Sequence, residues 1–204
     1  MIKNIIFDLG RVIYSYWPQQ DLINLGYNET KINKFMSRVY DSPLWAEFDR
    51  GTYTIAEGVE KLCADYPDMA DDFRRVFNET WADRIIKIMP DSLEFFYEVK
   101  RRGFGVYILT NFPEDSFAYC RARDDFFNEA DGIVVSAHEK LIKPDAAIYE
   151  CLLNRYNLVP EETIFIDDML HNIEGAEALG IHGIQFTDLD SCKKQFEEII
   201  NASR

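Results

Sequence analysis

No stretch of the 204-residue chain carries about 18 consecutive apolar residues, so nothing in it reads as a membrane-spanning helix. The opening residues, Met1-Ile2-Lys3-Asn4-Ile5-Ile6-Phe7-Asp8, hold too short an apolar run for a signal-peptide core and no small-residue cleavage site. Cysteine is sparse. Cys63, Cys120, Cys151 and Cys192 stand far apart and no CxxC occurs, which argues against a disulfide scaffold and for reduced, mostly buried thiols in a cytoplasmic setting. Positive charge is also short: 22 Lys and Arg against 36 Asp and Glu leave a net charge of −14. Such a chain lacks the cationic surface that nucleic-acid phosphates or an anionic membrane demand. A small anionic substrate stays possible only where a local cation or a metal overcomes the overall field. There are no internal repeats, and a 47% hydrophobic, 28% charged composition excludes disordered and low-complexity classes.

What is present is a series of short apolar runs that end in polar residues. Residues 3–8, 104–110, 132–136, 163–168 and, more weakly, 183–186 are near-continuous apolar, as strands covered on both faces are. Between them lie helical periodicities over 91–102 (Leu93, Phe96, Val99), 145–156 (Ile148, Cys151, Leu152, Tyr156), 170–179 and 189–201. This alternation predicts an α/β fold with a doubly wound, parallel, Rossmann-like sheet. Ligands bind such sheets at the carboxyl edge of the strands. Residues 15–86 break the alternation, with helix-like stretches at 19–25, 28–40, 54–65 and 69–80 and no strand signal. The simplest organisation is therefore a core of 1–14 and 87–204 with an all-helical cap, 15–86, inserted after the first strand.

The chemistry-bearing residues cluster at the strand ends. Asp8 closes the first run; alone it also suits a turn. Asp167-Asp168 closes another, and two adjacent acids at a strand edge suggest an oxygen-ligand site for Mg²⁺, or else a solvated acidic turn. Thr110-Asn111 ends the second run just before Pro113, Glu114 and Asp115, which read as the first turn of a helix. A hydroxyl, an amide and free helix N–H groups make an anion cradle or an ordinary N-cap. Lys143, in Lys143-Pro144-Asp145, offers a compact positive charge. Together, in this order, they assemble a nucleophile, an anion cradle, a counter-charge and metal ligands, the parts needed for phosphoryl transfer to an aspartate.

Four segments resemble the motifs of the haloacid dehalogenase-like hydrolase superfamily. They are Phe7-Asp8-Leu9-Gly10-Arg11-Val12, Ile108-Leu109-Thr110-Asn111, Lys143-Pro144-Asp145-Ala146-Ala147-Ile148-Tyr149, and residues 165–176 around Asp167 and Asp168. The branch most resembled contains α-D-glucose-1-phosphate phosphatase and the phosphatase domain of epoxide hydrolases. The resemblance implies a Mg²⁺-dependent phosphatase acting on a small phosphorylated substrate, as monomer or homodimer. Asp8 would be nucleophile and metal ligand; Thr110 and Asn111 would hold the phosphoryl oxygens; Lys143 would neutralise charge; Asp168 would ligate the metal with Asp167 beside it, and Asn172 would support that loop.

One position departs from the pattern. The family's first motif is Asp-x-Asp, and its second acid protonates the leaving group while its carbonyl binds metal. Here that position is Gly10, which keeps the carbonyl and loses the acid. General acid–base help is worth about 10²–10⁴-fold, so the resemblance implies an acidic leaving hydroxyl such as that of a hexose 1-phosphate, or a proton from a cap residue or water. The alternative is a catalytically weak member that binds a ligand or partner. A smaller departure is Lys140, where related loops often carry Gly. In the cap, the polar-aromatic segment with Trp45, Phe48, Asp49 and Arg50 before Gly51 offers Trp45, Phe48 and Arg50 as candidates for reading the substrate, or else a helix–helix core with a surface ion pair.

Overall fold

The computed structural model of the chain describes residues 1–203. In chain order its strands are β1 (Asn4–Phe7), β2 (Tyr14–Ser15), β3 (Lys87–Ile88), β4 (Gly105–Thr110), β5 (Gly132–Val135), β6 (Thr163–Asp167) and β7 (His182–Gln185). Its α-helices are α1 (Pro18–Asn24), α2 (Glu29–Phe35), α3 (Pro43–Asp49), α4 (Ile55–Asp65), α5 (Ala70–Val76), α6 (Trp81–Ile85), α7 (Pro90–Arg101), α8 (Glu114–Arg123), α9 (Ser136–Glu139), α10 (Ala146–Tyr156), α11 (Leu170–Glu177) and α12 (Leu189–Ala202).

Five strands form one parallel sheet in the order β5-β4-β1-β6-β7. Successive side chains of a strand point to opposite faces, and the two faces are filled by different helices. Ile5, Phe7, Val106, Ile108, Ile164 and Ile166 pack with Phe95, Phe96 and Val99 of α7, Phe117 and Cys120 of α8, and Cys192 and Phe196 of α12. Ile6, Leu109, Val134 and Phe165 pack with Ile148, Tyr149 and Leu152 of α10 and Ile173 and Ala176 of α11. Burial on both faces explains why these runs are apolar at nearly every position, and it confirms the doubly wound parallel core.

Six helices, α1 to α6, lie between β2 and β3, and those two short strands pair antiparallel, Tyr14 opposite Ile88 and Ser15 opposite Lys87. The ribbon brackets the six helices in sequence. The expected helix over 28–40 is interrupted: α2 gives way at Met36 to a π-turn, Met36–Tyr40. The Asp41-Ser42-Pro43 start signal opens α3, with Pro43 at its first position. The third residue of that helix, Trp45, and its last, Asp49, are four apart and so lie on one face.

Candidate active site

The carboxyl ends of β1, β4 and β6 converge on Lys143. Asp8 follows β1 directly, and its N–H donates to the Ile166 carbonyl at 2.9 Å. The Lys143 Nζ sits between two acids, 2.9 Å from Asp8 Oδ1 and 2.6 Å from Asp167 Oδ2, and it also donates to the Leu109 carbonyl at 3.1 Å. All three side chains are buried. Burial pushes the Asp8 carboxyl up to about 7; Lys143 pulls it back, and Asp167 and Asp168 add to the rise. Burial also works against the Lys143 charge, but Asp167 and Asp8 outweigh it and hold the ammonium above its ordinary range.

Asp167 and Asp168 do different work. Asp167 is fully buried, and both its oxygens are taken. Oδ1 accepts from the Met169 N–H at 2.8 Å and from Asn172 Nδ2 at 3.0 Å; Oδ2 accepts from Lys143. Asn172 is itself fixed, its carbonyl accepting from the Tyr149 hydroxyl at 2.8 Å. Asp168 instead lines the crevice, where burial and Asp167 raise its carboxyl while Arg11, 3.6 Å away, lowers it. Single oxygens of Asp8, Asp167 and Asp168 lie within 4.8 Å of one another. Three carboxylates so close together, with no His or Cys among the donors, fit a hard divalent cation such as Mg²⁺.

The phosphate-side residues are held together as well. Asn111 Oδ1 accepts from the Lys143 N–H at 2.9 Å, and its Nδ2 donates to the Lys143 carbonyl at 3.1 Å. Its amide thereby orients the lysine loop, and one Nδ2 proton and the main chain are left for a ligand oxygen. The Thr110 hydroxyl is wholly buried with no hydrogen-bond partner. An unmet buried hydroxyl costs ~1–3 kcal/mol, and a phosphoryl oxygen would satisfy it.

The site opens into a crevice of about 300 Å³ lined by Asp8, Gly10, Lys143 and Asp168 on the core side and Tyr16, Trp45 and Asp49 on the other. Behind it lies a smaller chamber of about 80 Å³, walled by Tyr14, Trp81, Ile86 and Phe112. Gly10, Tyr16, Trp45, Asp49 and Asn111 line both. Of the cap residues expected to read the substrate, Trp45 faces both spaces. Phe48 does not: it is fully buried, edge-on to Trp45 and pressed on Gly58 of α4, where a Cβ would come within 2.0 Å of its ring. Arg50 lines neither space and pairs with Glu47 at 3.7 Å.

Asp49 belongs to the same polar-aromatic segment, but sequence reasoning gave it no role of its own. Burial pushes its carboxyl up to about 7, with Lys143 opposing and Asp8 adding. Its main chain is latched to the core: the Asp49 carbonyl accepts from the Ser136 hydroxyl, and two residues on the Gly51 carbonyl accepts from Lys140 Nζ at 2.6 Å. Lys140 sits at φ 59°, the left-handed region that favours glycine, which accounts for Gly in related loops and shows what the lysine adds. Gly51 is itself at φ +70°, where a Cβ would collide with Ala137.

Comparison with known proteins agrees with this architecture. The family model for haloacid dehalogenase-like hydrolases matches residues 2–180. The sesquiterpene phosphatase astK of Aspergillus oryzae is 30% identical over 91% of this chain and 90% of its own length. The D-ribitol-5-phosphate phosphatase of Bacteroides thetaiotaomicron is 23% identical over 99% of this chain and 100% of its own. Among solved structures, a haloacid dehalogenase family enzyme of Bacteroides thetaiotaomicron, crystallised with magnesium and inorganic phosphate, superposes with a TM-score of 0.70 at 20% identity, covering 91% of this chain and 94% of that one. With the motifs at the strand ends, the parallel sheet beneath them and a match over most of its length, the chain belongs to the haloacid dehalogenase-like hydrolase family.

Proposed function

We propose that the chain is a Mg²⁺-dependent phosphoric monoester hydrolase working through an aspartyl-phosphate on Asp8. The observation that carries this reading is the buried Lys143 ammonium bridging Asp8 and Asp167 beside the crevice-facing Asp168. A metal bound there supplies charge for the phosphoryl group being transferred. Asp8, Asp168 and the Gly10 carbonyl would hold it, with Asp167 behind them. Lys143 holds Asp8 Oδ1 in place, and the Thr110 hydroxyl and Asn111 main chain receive the phosphoryl oxygens. Asp8 attacks phosphorus and the bond to the leaving oxygen breaks; water then attacks the acyl phosphate and releases phosphate.

The substrate we favour is a small sugar phosphate such as a hexose 1-phosphate, whose ring stacks on Trp45 in the aromatic passage. Phosphatase names among the relatives support phosphate-ester chemistry, and the ribitol phosphate enzyme supports a polyol or sugar. A second reading has its own observation. Arg11 also borders an open groove of about 580 Å³ with Trp17 and Ile23, both largely exposed, which suits the apolar tail of an isoprenyl phosphate, as the name of the 30% identical relative suggests.

Phosphate release from hexose 1-phosphates, polyol phosphates and isoprenyl monophosphates, with Mg²⁺ and with chelator, separates these. Metal-dependent release lost in Asp8→Asn is the expected result, and the best substrate class decides between sugar and apolar leaving groups. Mg²⁺ and phosphate binding without release from any of them would leave the chain a ligand-binding family member and overturn the enzymatic reading.

A further inference from the structure

We propose that Asp49, delivered by the cap, is the proton donor to the leaving-group oxygen and then the proton acceptor from the attacking water, filling the role vacated at Gly10. The inference rests on the phosphatase reading and deepens it. Three independent features place Asp49 there.

The first is position. Asp8 and Lys143 line the crevice only, and Tyr14, Trp81 and Phe112 line the inner chamber only. A substrate with phosphorus at Asp8 and its organic part in the chamber must put the bridging oxygen in the passage between them. Gly10, Tyr16, Trp45, Asp49 and Asn111 surround that passage. The second is space. A Cβ on Gly10 would meet only Asp8 Oδ2, at 3.9 Å, so the side of the passage where the family's second acid stands is open to a group reaching in from the cap.

The third is availability. Among the described residues the Asp49 carboxyl makes no hydrogen bond and no ion pair, whereas its backbone is fixed by Ser136 and the following turn by Lys140. A carboxyl held in place by its main chain and left free at its head is placed to act on something else. Its neighbours in the passage are less suited. The Tyr16 hydroxyl, buried without a partner, is held by burial well above its ordinary value and keeps its proton. Lys143 is engaged by two acids and Asn111 by the lysine loop. Of the groups lining both spaces Asp49 is the one carboxyl, raised by burial, and so the one suited to give a proton and later take one back.

The steps balance. An Asp8 oxygen forms a bond to phosphorus as the bond from phosphorus to the alcohol oxygen breaks; that oxygen keeps the electron pair and takes the Asp49 proton, leaving as the alcohol. The Asp49 carboxylate then removes a proton from water as the water oxygen bonds to phosphorus. The Asp8–phosphorus bond breaks, Asp8 returns as carboxylate and Asp49 is again protonated.

Pre-steady-state kinetics of the full chain with Mg²⁺ test this. The substrates are ribitol 5-phosphate, whose alkoxide must be protonated, and p-nitrophenyl phosphate, whose leaving group needs no proton. In Asp49→Asn, turnover of ribitol 5-phosphate is expected to fall by about 10²–10⁴-fold. The same variant should release one equivalent of nitrophenol per enzyme in a burst near the native rate and then stall, because water is no longer deprotonated. That burst also reports an intact fold and a working Asp8. Turnover of ribitol 5-phosphate within tenfold of native, or loss of the nitrophenol burst along with turnover, would overturn the proposal. Absence of release by the native chain from both substrates is a different failure, that of the phosphatase reading itself.

Discussion

Lys143 is the residue on which the buried acids depend. Its ammonium is within hydrogen-bond distance of Asp8 and Asp167, and all three are out of solvent. Removing one partner of a buried ion pair leaves the other charge unmet, at a cost of ~3–5 kcal/mol. Lys143→Met should therefore lower the free energy of urea unfolding in chelator by about that amount as well as abolish phosphate release; an unfolding curve matching the native one would mean that Asp8 and Asp167 do not need the lysine. Asp49 makes the opposite prediction. Its carboxyl stands at about 7 when folded against 3.8 ordinarily, chiefly through burial, with Lys143, Asp8 and the nearby Tyr16 as the charged and titratable groups around it. Between those values the folded chain holds a proton that the unfolded chain releases, so this group's contribution to stability falls as pH rises from about 4 to 7 and stays lowered above. Asp49→Asn is expected to melt a few degrees above native at pH 8, with the gap closing as pH approaches 4. A gap equal at both ends would mean that the carboxyl is not desolvated in the fold.

At the scale of elements, α3 decides what the inserted helices α1 to α6 present to the carboxyl edge of the sheet. Phe48, wedged under α4 at Gly58, fixes the rotation of the helix whose neighbouring Trp45 and Asp49 line the crevice. Gly58→Ala places a methyl where the Phe48 ring is, and overpacking of this kind costs ~1–3 kcal/mol. That exceeds the ~0.5–1 kcal/mol an alanine contributes to a helix interior. The variant should melt lower and also hydrolyse substrate more slowly, since α3 carries Asp49 away from the passage; a lower melting temperature with native turnover would separate packing from positioning. The same helix shows why part of the site was legible in the sequence and part was not. Asp8, Thr110 and Asp168 could be read because each stands at the end of an apolar strand with a known place at the edge of a parallel sheet, and Lys143 because Lys143-Pro144-Asp145 opens the way into α10 beyond the third such strand. Asp167 could be read as an acid beside the metal ligands, but its complete enclosure by Lys143, Met169 and Asn172 depends on how the loops fold back. Asp49 has no local mark that sets it apart from Glu47. Its importance comes from where the cap lands on Ser136 and Lys140, some 90 positions further along. Phe48 left two readings open for the related reason that an aromatic residue in a short helix reads alike whether it faces a ligand or a neighbouring helix; the structure takes the second.

On the scale of the whole molecule, the net charge of −14 sets a problem that the site solves only at short range. The cations bordering the crevice are Lys143, whose side chain is 1% exposed, and Arg11, which is already drawn toward Asp168. Neither projects a positive field far into solvent, so an approaching phosphate monoester meets the repulsion of the acidic surface before it meets Lys143. Salt screens the long-range part and leaves the buried contacts nearly intact: the Debye length shrinks from about 30 Å at 0.01 M to about 10 Å at 0.1 M. At saturating Mg²⁺, kcat/KM for an anionic substrate is therefore expected to rise several-fold as KCl goes from about 0.01 to 0.1 M, with kcat unchanged, the reverse of electrostatic steering. A kcat/KM that falls with salt would mean that the occupied metal site and Arg11 already reverse the field at the mouth, and that the acidic surface does not govern substrate capture.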